Sequence, residues 1–231
     1  MVHFLKKMPK KNLFQPKQNI MQNNPIGILS GTFDPIHLGH MHLATMMLQT
    51  CNLKKIIFIP CAQSPLRKPP IASSIDRFNM VKLAIAQQNN FVADDREIKQ
   101  GGISYTIKTL ESLRQEYQTP LALILGSDVF NRFLAWYAWQ KILATVHLLV
   151  AKRPGTWEIT NQDALKLLHQ HQTVNIQQLQ NKISGLIYVT DINPLPIAAT
   201  KVRTLINTQQ DASSLVAPAV WQYICNKQLY I

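Results

Sequence analysis

Short, wholly apolar runs alternate with longer stretches of helical spacing along most of this chain, and few folds accept that alternation. A strand flanked by polar turns and apolar along its whole length must be covered on both faces, which is the condition of a central parallel sheet. Such runs occur at 26–30, 56–59, 121–125, 146–150 and 186–189, and shorter strands are read around 91–92 and 96–98. Helical spacing covers 38–50, 75–87, 105–117, 130–143, 164–171, 199–206 and 219–227. Ser73 or Ser74 is placed to cap the second of these, whose apolar positions include Phe78, Val81, Leu83 and Ile85. The 130–143 stretch is rich in aromatic residues, and Ile107, Leu110 and Leu113 line one side of 105–117. No fixed-period repeat is present. The pattern predicts a single-domain, doubly wound α/β fold whose ligands bind beyond the carboxyl ends of the strands.

That domain is expected over residues 25–231. Residues 1–24 lack periodicity, carry five lysines and no acid, and read as a mobile leader. They supply five of the twelve net positive charges, which leaves about +7 on the rest. A basic excess attracts anions, whether nucleic acid or a small phosphate compound. The longest apolar runs are far too short to span a bilayer, so no membrane segment is expected. Cys51, Cys61 and Cys225 are widely spaced, with no Cys-x-x-Cys pair, as in reduced thiols of a cytoplasmic protein. The pattern fixes no oligomeric state.

The chemistry concentrates in Gly31-Thr32-Phe33-Asp34-Pro35-Ile36-His37-Leu38-Gly39-His40, directly after the first strand and opening a helix. Backbone N–H groups and the helix dipole favour an anion at such a junction. Gly31 permits a tight turn and close approach. His37 and His40, three apart, share a helix face, and Gly39 between them clears space for phosphates. Two imidazoles beside a triphosphate can donate to oxygens whose charge grows in the transition state. A lone histidine is more often a satisfied surface or core residue, and no Cys or carboxylate stands at a spacing that completes a metal site. The segment is not a Walker loop, because no Gly-Lys-Ser/Thr follows.

This decapeptide resembles the signature of the nucleotidyltransferase superfamily with the His-x-Gly-His motif. More narrowly, the chain is similar to the bacterial nicotinate-nucleotide adenylyltransferases. Ser104-Tyr105-Thr106-Ile107-Lys108-Thr109-Leu110, Gly126-Ser127-Asp128, Trp136-Tyr137, Arg153-Pro154-Gly155, Thr200-Lys201-Val202-Arg203 and the ending Tyr223-Ile224…Leu229-Tyr230 carry the resemblance, in consistent order over 25–231. It implies a Rossmann-like nucleotidyltransferase fold and transfer of AMP from ATP to nicotinate mononucleotide, in NAD biosynthesis. The reaction is expected to be a direct in-line displacement, with magnesium arriving on ATP.

The resemblance also implies roles. His37, His40 and Arg203 are the expected catalytic residues, with Arg203 clamping the β- and γ-phosphates. Gly31, Thr32, Phe33, Gly126, Asp128 and Thr200 are expected around ATP. Arg67, Lys68, Tyr105, Thr106, Trp136 and Tyr137 are expected around the acceptor, with the two aromatics of 136–137 bordering its ring. Each has a plainer reading: Thr200 as an ordinary cap, Asp128 as a helix cap, Arg67 and Lys68 as a solvated basic loop, Trp139 as core. Asp34, before a proline, is read as shaping the loop first and touching metal second. The family usually has serines where Ala198 and Ala199 stand and an aspartate where Lys108 stands, so no role is carried to those positions.

Related transferases acting on nicotinamide mononucleotide, phosphopantetheine or a CTP-dependent substrate are the nearest alternatives. Trp136-Tyr137 and Ser104-Tyr105-Thr106 favour nicotinate. A nucleic-acid-binding module is the alternative of a different class. It would need cations and aromatics interleaved along one surface, whereas the cations here fall mostly in the leader or at turns.

Overall fold

A computed structural model of the chain describes residues 23–66, 68–152 and 159–231. Most of the expected leader, Arg67 and Arg153-Pro154-Gly155 lie outside the described residues. The elements run β1 (Ile26–Gly31), α1 (Leu38–Thr50), β2 (Lys55–Pro60), α2 (Ser74–Ile85), β3 (Phe91–Ala93), α3 (Arg96–Gln100), α4 (Thr106–Glu116) and β4 (Leu121–Gly126). Then come α5 (Ser127–Phe130), a 3-10 turn (Phe133–Ala135), α6 (Trp139–Thr145), β5 (His147–Lys152), α7 (Gln162–His171), β6 (Gln172–Thr173) and α8 (Gln178–Asn181). The chain closes with β7 (Ile187–Asp191), α9 (Ala199–Asn207), a 3-10 turn (Ser213–Leu215) and α10 (Pro218–Asn226).

The seven strands form one parallel sheet in the order β3-β2-β1-β4-β5-β7-β6. Strand order reverses between β1 and β4, the crevice where a doubly wound sheet binds ligands. Side chains alternate across the pleat. Leu121, Leu123 and Leu125 of β4 join the apolar layer containing α4, α6 and α7 residues, while Ala122 and Ile124 join the layer containing α1, α2, α9 and α10 residues. Ser73, the expected cap of α2, accepts from the Asp76 backbone N–H through its hydroxyl.

Two expected elements are corrected. The stretch 96–98 is not a strand but the start of α3. Asp94 accepts from the backbone N–H of Arg96 at 2.9 Å, and Gly101 and Gly102, at φ 68° and 66°, end the helix. The aromatic stretch 130–143 is not one helix. Phe130 and Phe133 sink into the core, Trp136 is extended, and Ala138 adopts a left-handed φ of 54° before α6 begins. Burying the two phenylalanines under the sheet overrides the local helical spacing. The short β6 and α8 carry no periodicity long enough to announce them.

Candidate active site

Between β1 and α1 the chain makes a tight turn in which Phe33, not Gly31, takes the left-handed backbone, at φ 48°. A non-glycine residue there is strained and must be held by its surroundings. Phe33 is buried and meets His40 edge to face, with centroids 5.1 Å apart. Arg77 of α2, 1% exposed, donates to the Thr32 carbonyl at 2.6 Å and to the Ala62 carbonyl at 3.1 Å, tying the turn to the loop after β2. The Asp34 carboxylate accepts from the backbone N–H groups of Ile71 (2.8 Å) and Ala72 (3.1 Å) and from the Tyr230 hydroxyl (2.8 Å). Asp34 therefore shapes the loop.

His37 caps α1 and His40 stands in its first turn. Their rings stack with centroids 3.7 Å apart. The His37 backbone N–H donates to His40 Nδ1 at 3.3 Å. A ring that accepts at Nδ1 carries its proton on Nε2 when neutral, so His40 can donate from Nε2. Burial pushes the His37 imidazole down to about 4, so it is neutral at pH 7. Its Nδ1 is buried with no hydrogen-bond partner among the described residues. Gly39 makes room for this histidine and also lines the cavity. A Cβ there would stand 3.0 Å from His37 Nδ1 and 3.4 Å from the Ile197 carbonyl oxygen.

That carbonyl belongs to the segment entering α9, so the starts of α1 and α9 meet across Gly39. α9 begins after Ala198, which offers no side-chain cap, so Thr200 is not the capping residue. Arg203 donates to the Asp34 carbonyl at 2.6 Å and to the Thr200 hydroxyl at 3.3 Å. Both helix starts direct N–H groups and the positive end of a dipole toward one place.

An aromatic cluster lines the same cavity. Tyr105 precedes α4 and packs on Tyr137 with centroids 5.1 Å apart, while Trp136 packs on Phe133 at 5.8 Å. The break before α6, not a helix face, brings Trp136 and Tyr137 here. Lys108 lies over the Tyr105 ring at 5.7 Å. Asp128 follows β4, and any Cβ on Gly126 would fall 2.7 Å from its carboxylate. The cavity has a volume of about 1120 Å³, room for more than one small ligand. Gly31, Thr32, Phe33, His37, His40, Thr200 and Arg203 line it together with Lys68, Tyr105, Thr106, Gly126, Asp128, Trp136 and Tyr137.

Two buried charged residues were not among those singled out. One is Arg77, whose signal is a cation on the same face of α2 as Met80 and Val81. The other is Glu97, 4% exposed, which accepts from the Thr109 hydroxyl at 2.6 Å. Burial raises its carboxyl above the usual range, the Thr109 bond opposing. Reading 96–98 as a strand hid it, although Asp94-Asp95 before and Gly101-Gly102 after mark a short helix.

Residues 28–205 match the cytidylyltransferase-like family. A protein of Aeromonas hydrophila described as a probable nicotinate-nucleotide adenylyltransferase is 38% identical over 211 residues, covering 91% of this chain and 99% of that protein. The chain belongs to the nicotinate-nucleotide adenylyltransferase family. It is therefore an enzyme of nucleotidyl transfer. A Coxiella burnetii member of the family, also described as probable, is 40% identical over 210 residues, 89% of this chain and 97% of its own. Among solved structures, a Plasmodium falciparum nicotinic acid mononucleotide adenylyltransferase complexed with NaAD has a TM-score of 0.69 at 17% identity, covering 90% of this chain and 97% of its own. The same protein complexed with APC gives 0.68. At that identity the likeness is one of fold.

Proposed function

We propose that the chain transfers AMP from MgATP to nicotinate mononucleotide, giving nicotinate adenine dinucleotide and pyrophosphate, as a cytoplasmic enzyme of NAD biosynthesis. The observation that carries this reading is one cavity lined both by two helix starts with His40 and Arg203 and by the aromatic residues Tyr105, Trp136 and Tyr137. The first is an anion site with donors in place, and the second suits a flat ring. The family supplies the substrate.

An oxygen of the acceptor phosphate attacks the α-phosphorus in line. The new P–O bond forms as the bond to the bridging oxygen breaks, and the electron pair leaves on pyrophosphate. His40 Nε2–H, the neutral His37 ring and the Arg203 fork meet the growing charge, which is the main task in phosphoryl-type transfer. Magnesium, arriving with the triphosphate, would neutralise charge on its oxygens. Asp34 is ill suited to hold it, since both carboxylate oxygens already accept from N–H or O–H donors. The acceptor's carboxylate would be selected by N–H donors near Tyr105-Thr106 and Trp136-Tyr137. An amide NH₂ facing such donors would go unpaired. No helix among the described residues is long and apolar enough to cross a membrane.

The test is pyrophosphate release from ATP with nicotinate and nicotinamide mononucleotides as rival acceptors, in the wild type and in Trp136→Ala. Nicotinate should give the higher kcat/KM, and the variant should weaken acceptor binding more than ATP binding. Equal efficiency with the two acceptors sinks the nicotinate assignment and leaves adenylyl transfer standing.

A further inference from the structure

The penultimate residue of the chain is buried against the motif at its other end. Tyr230 is 6% exposed, and its hydroxyl donates to Asp34 Oδ1 across 196 residues of sequence. The chain returns there because Leu229 N–H closes on the Ile224 carbonyl at the end of α10, and Tyr230 takes a left-handed φ of 70°. Asp34 is 5% exposed and gathers donors from three separate segments. Its Oδ2 takes the Ile71 N–H, its Oδ1 takes the Ala72 N–H and the Tyr230 hydroxyl, and its carbonyl takes Arg203 at 2.6 Å.

Two of those segments carry cations expected at the ligands: the loop of Lys68, expected around the acceptor, and the first turns of α9, whose Arg203 is placed against the phosphates. Arg203 is aimed by the Asp34 carbonyl, so its position depends on how the Asp34 peptide is oriented. That peptide is held by the side-chain carboxylate, and the carboxylate is held on one oxygen by Tyr230. Burial and the Asp34 carboxylate push the phenol of Tyr230 well above its ordinary value, so it remains a donor across the neutral range.

We propose that Tyr230 is a positioning residue for adenylyl transfer: its hydroxyl fixes Asp34, and through Asp34 it sets Arg203 against the phosphates. The proposal rests on the phosphate role given to Arg203 above. It touches no substrate itself. A purely structural role would reside in the buried ring, whereas this one resides in the hydroxyl.

The experiment compares full-length wild type, Tyr230→Phe, Arg203→Ala and the double variant. Two readouts are used: pyrophosphate release with nicotinate mononucleotide, and affinity for a non-hydrolysable ATP analogue. Tyr230→Phe should keep its thermal midpoint within a few degrees and lose about tenfold in kcat/KM for ATP. On the Arg203→Ala background the same change should cost less than twofold, because the residue it acts through is gone. Ile231→Ala, at the exposed chain end, should behave as wild type. Tyr230→Met, which fills the space without a hydroxyl, replaces the phenylalanine variant if that one does not fold. Wild-type turnover and analogue affinity in a folded hydroxyl-free variant would overturn the proposal, as would a tenfold loss that persists without Arg203. A wild type inert toward nicotinate mononucleotide removes the acceptor assignment alone, since the analogue affinities still read Tyr230.

Discussion

The starts of α1 and α9 face the same cavity and are built by opposite means. α1 opens on His37 and His40, whose rings stack on each other and which the His37 N–H, donating to His40 Nδ1, links across three residues. α9 opens on Ala198, with no side-chain cap, and its cation is aimed by a carbonyl 169 residues away. The two histidines of one proposed anion site come from a single segment, although Arg77, Ile71, Ala72 and Tyr230 hold the turn before them. The other exists only when distant parts of the fold are in place. A local site can tolerate loosening elsewhere, whereas an assembled one reports on the whole fold.

The sharpest break of this comparison is His40→Ala. Removing a donor aimed at developing charge costs roughly 3–4 kcal/mol in comparable sites, a fall of about 10²–10³ in turnover. The fold should survive, as judged by its circular dichroism. Turnover near wild type would move the main donor from α1 to α9.

Next in size is the acid response of His37. Its folded-state value of about 4 lies below the ordinary 6.5. The unfolded chain therefore takes up a proton there that the folded protein refuses. Stability is full above pH 6.5, falls as pH drops toward 4 and levels below it, a loss on the order of 3 kcal/mol for this group. Urea midpoints at pH 7 and pH 4.5 should differ more in the wild type than in His37→Gln. An identical difference in both would mean that His37 is already protonated in the fold.

Arg203→Lys tests the assembled site. A lysine cannot keep both bonds of the fork, to the Asp34 carbonyl and the Thr200 hydroxyl. The loss in kcat/KM for ATP should be about 2 kcal/mol, the scale of a charge-assisted hydrogen bond. A loss equal to that of His40→Ala would erase the distinction between the two helix starts.

The smallest expected effect sharpens the comparison instead. Ala198→Ser supplies the cap that α9 lacks, worth about 1 kcal/mol and a rise of roughly 2–4 °C in Tm. An unchanged Tm would mean that the backbone donors of α9 are already satisfied.

The legibility of these parts follows the same division. The strand, turn and helix of 26–50 were readable because each depends on neighbours in the chain: an apolar run, a glycine-containing turn, a helix face. Tyr105 and Trp136 could be singled out, but nothing in their spacing says that a broken helix turns 136–137 toward Tyr105. Local spacing called for a continuous helix there, and only the burial of Phe130 and Phe133 under the sheet refuses it. Arg77 and Glu97, and the role of Tyr230, are not legible in the sequence for a related reason. Their partners are carbonyls, hydroxyls and a carboxylate on other elements, 12 to 196 residues distant.

By itself, then, the order of apolar runs determined the sheet, and one decapeptide marked the turn where the proposed phosphate chemistry sits, because strand pairing and a helix start are short-range consequences of side-chain pattern. The tertiary structure decided what holds that turn in a strained conformation, how Arg203 is aimed and which aromatic faces close the cavity. Those are contacts between segments far apart in the chain. Their geometry depends on how the helices pack over both faces of the sheet, which no local pattern encodes.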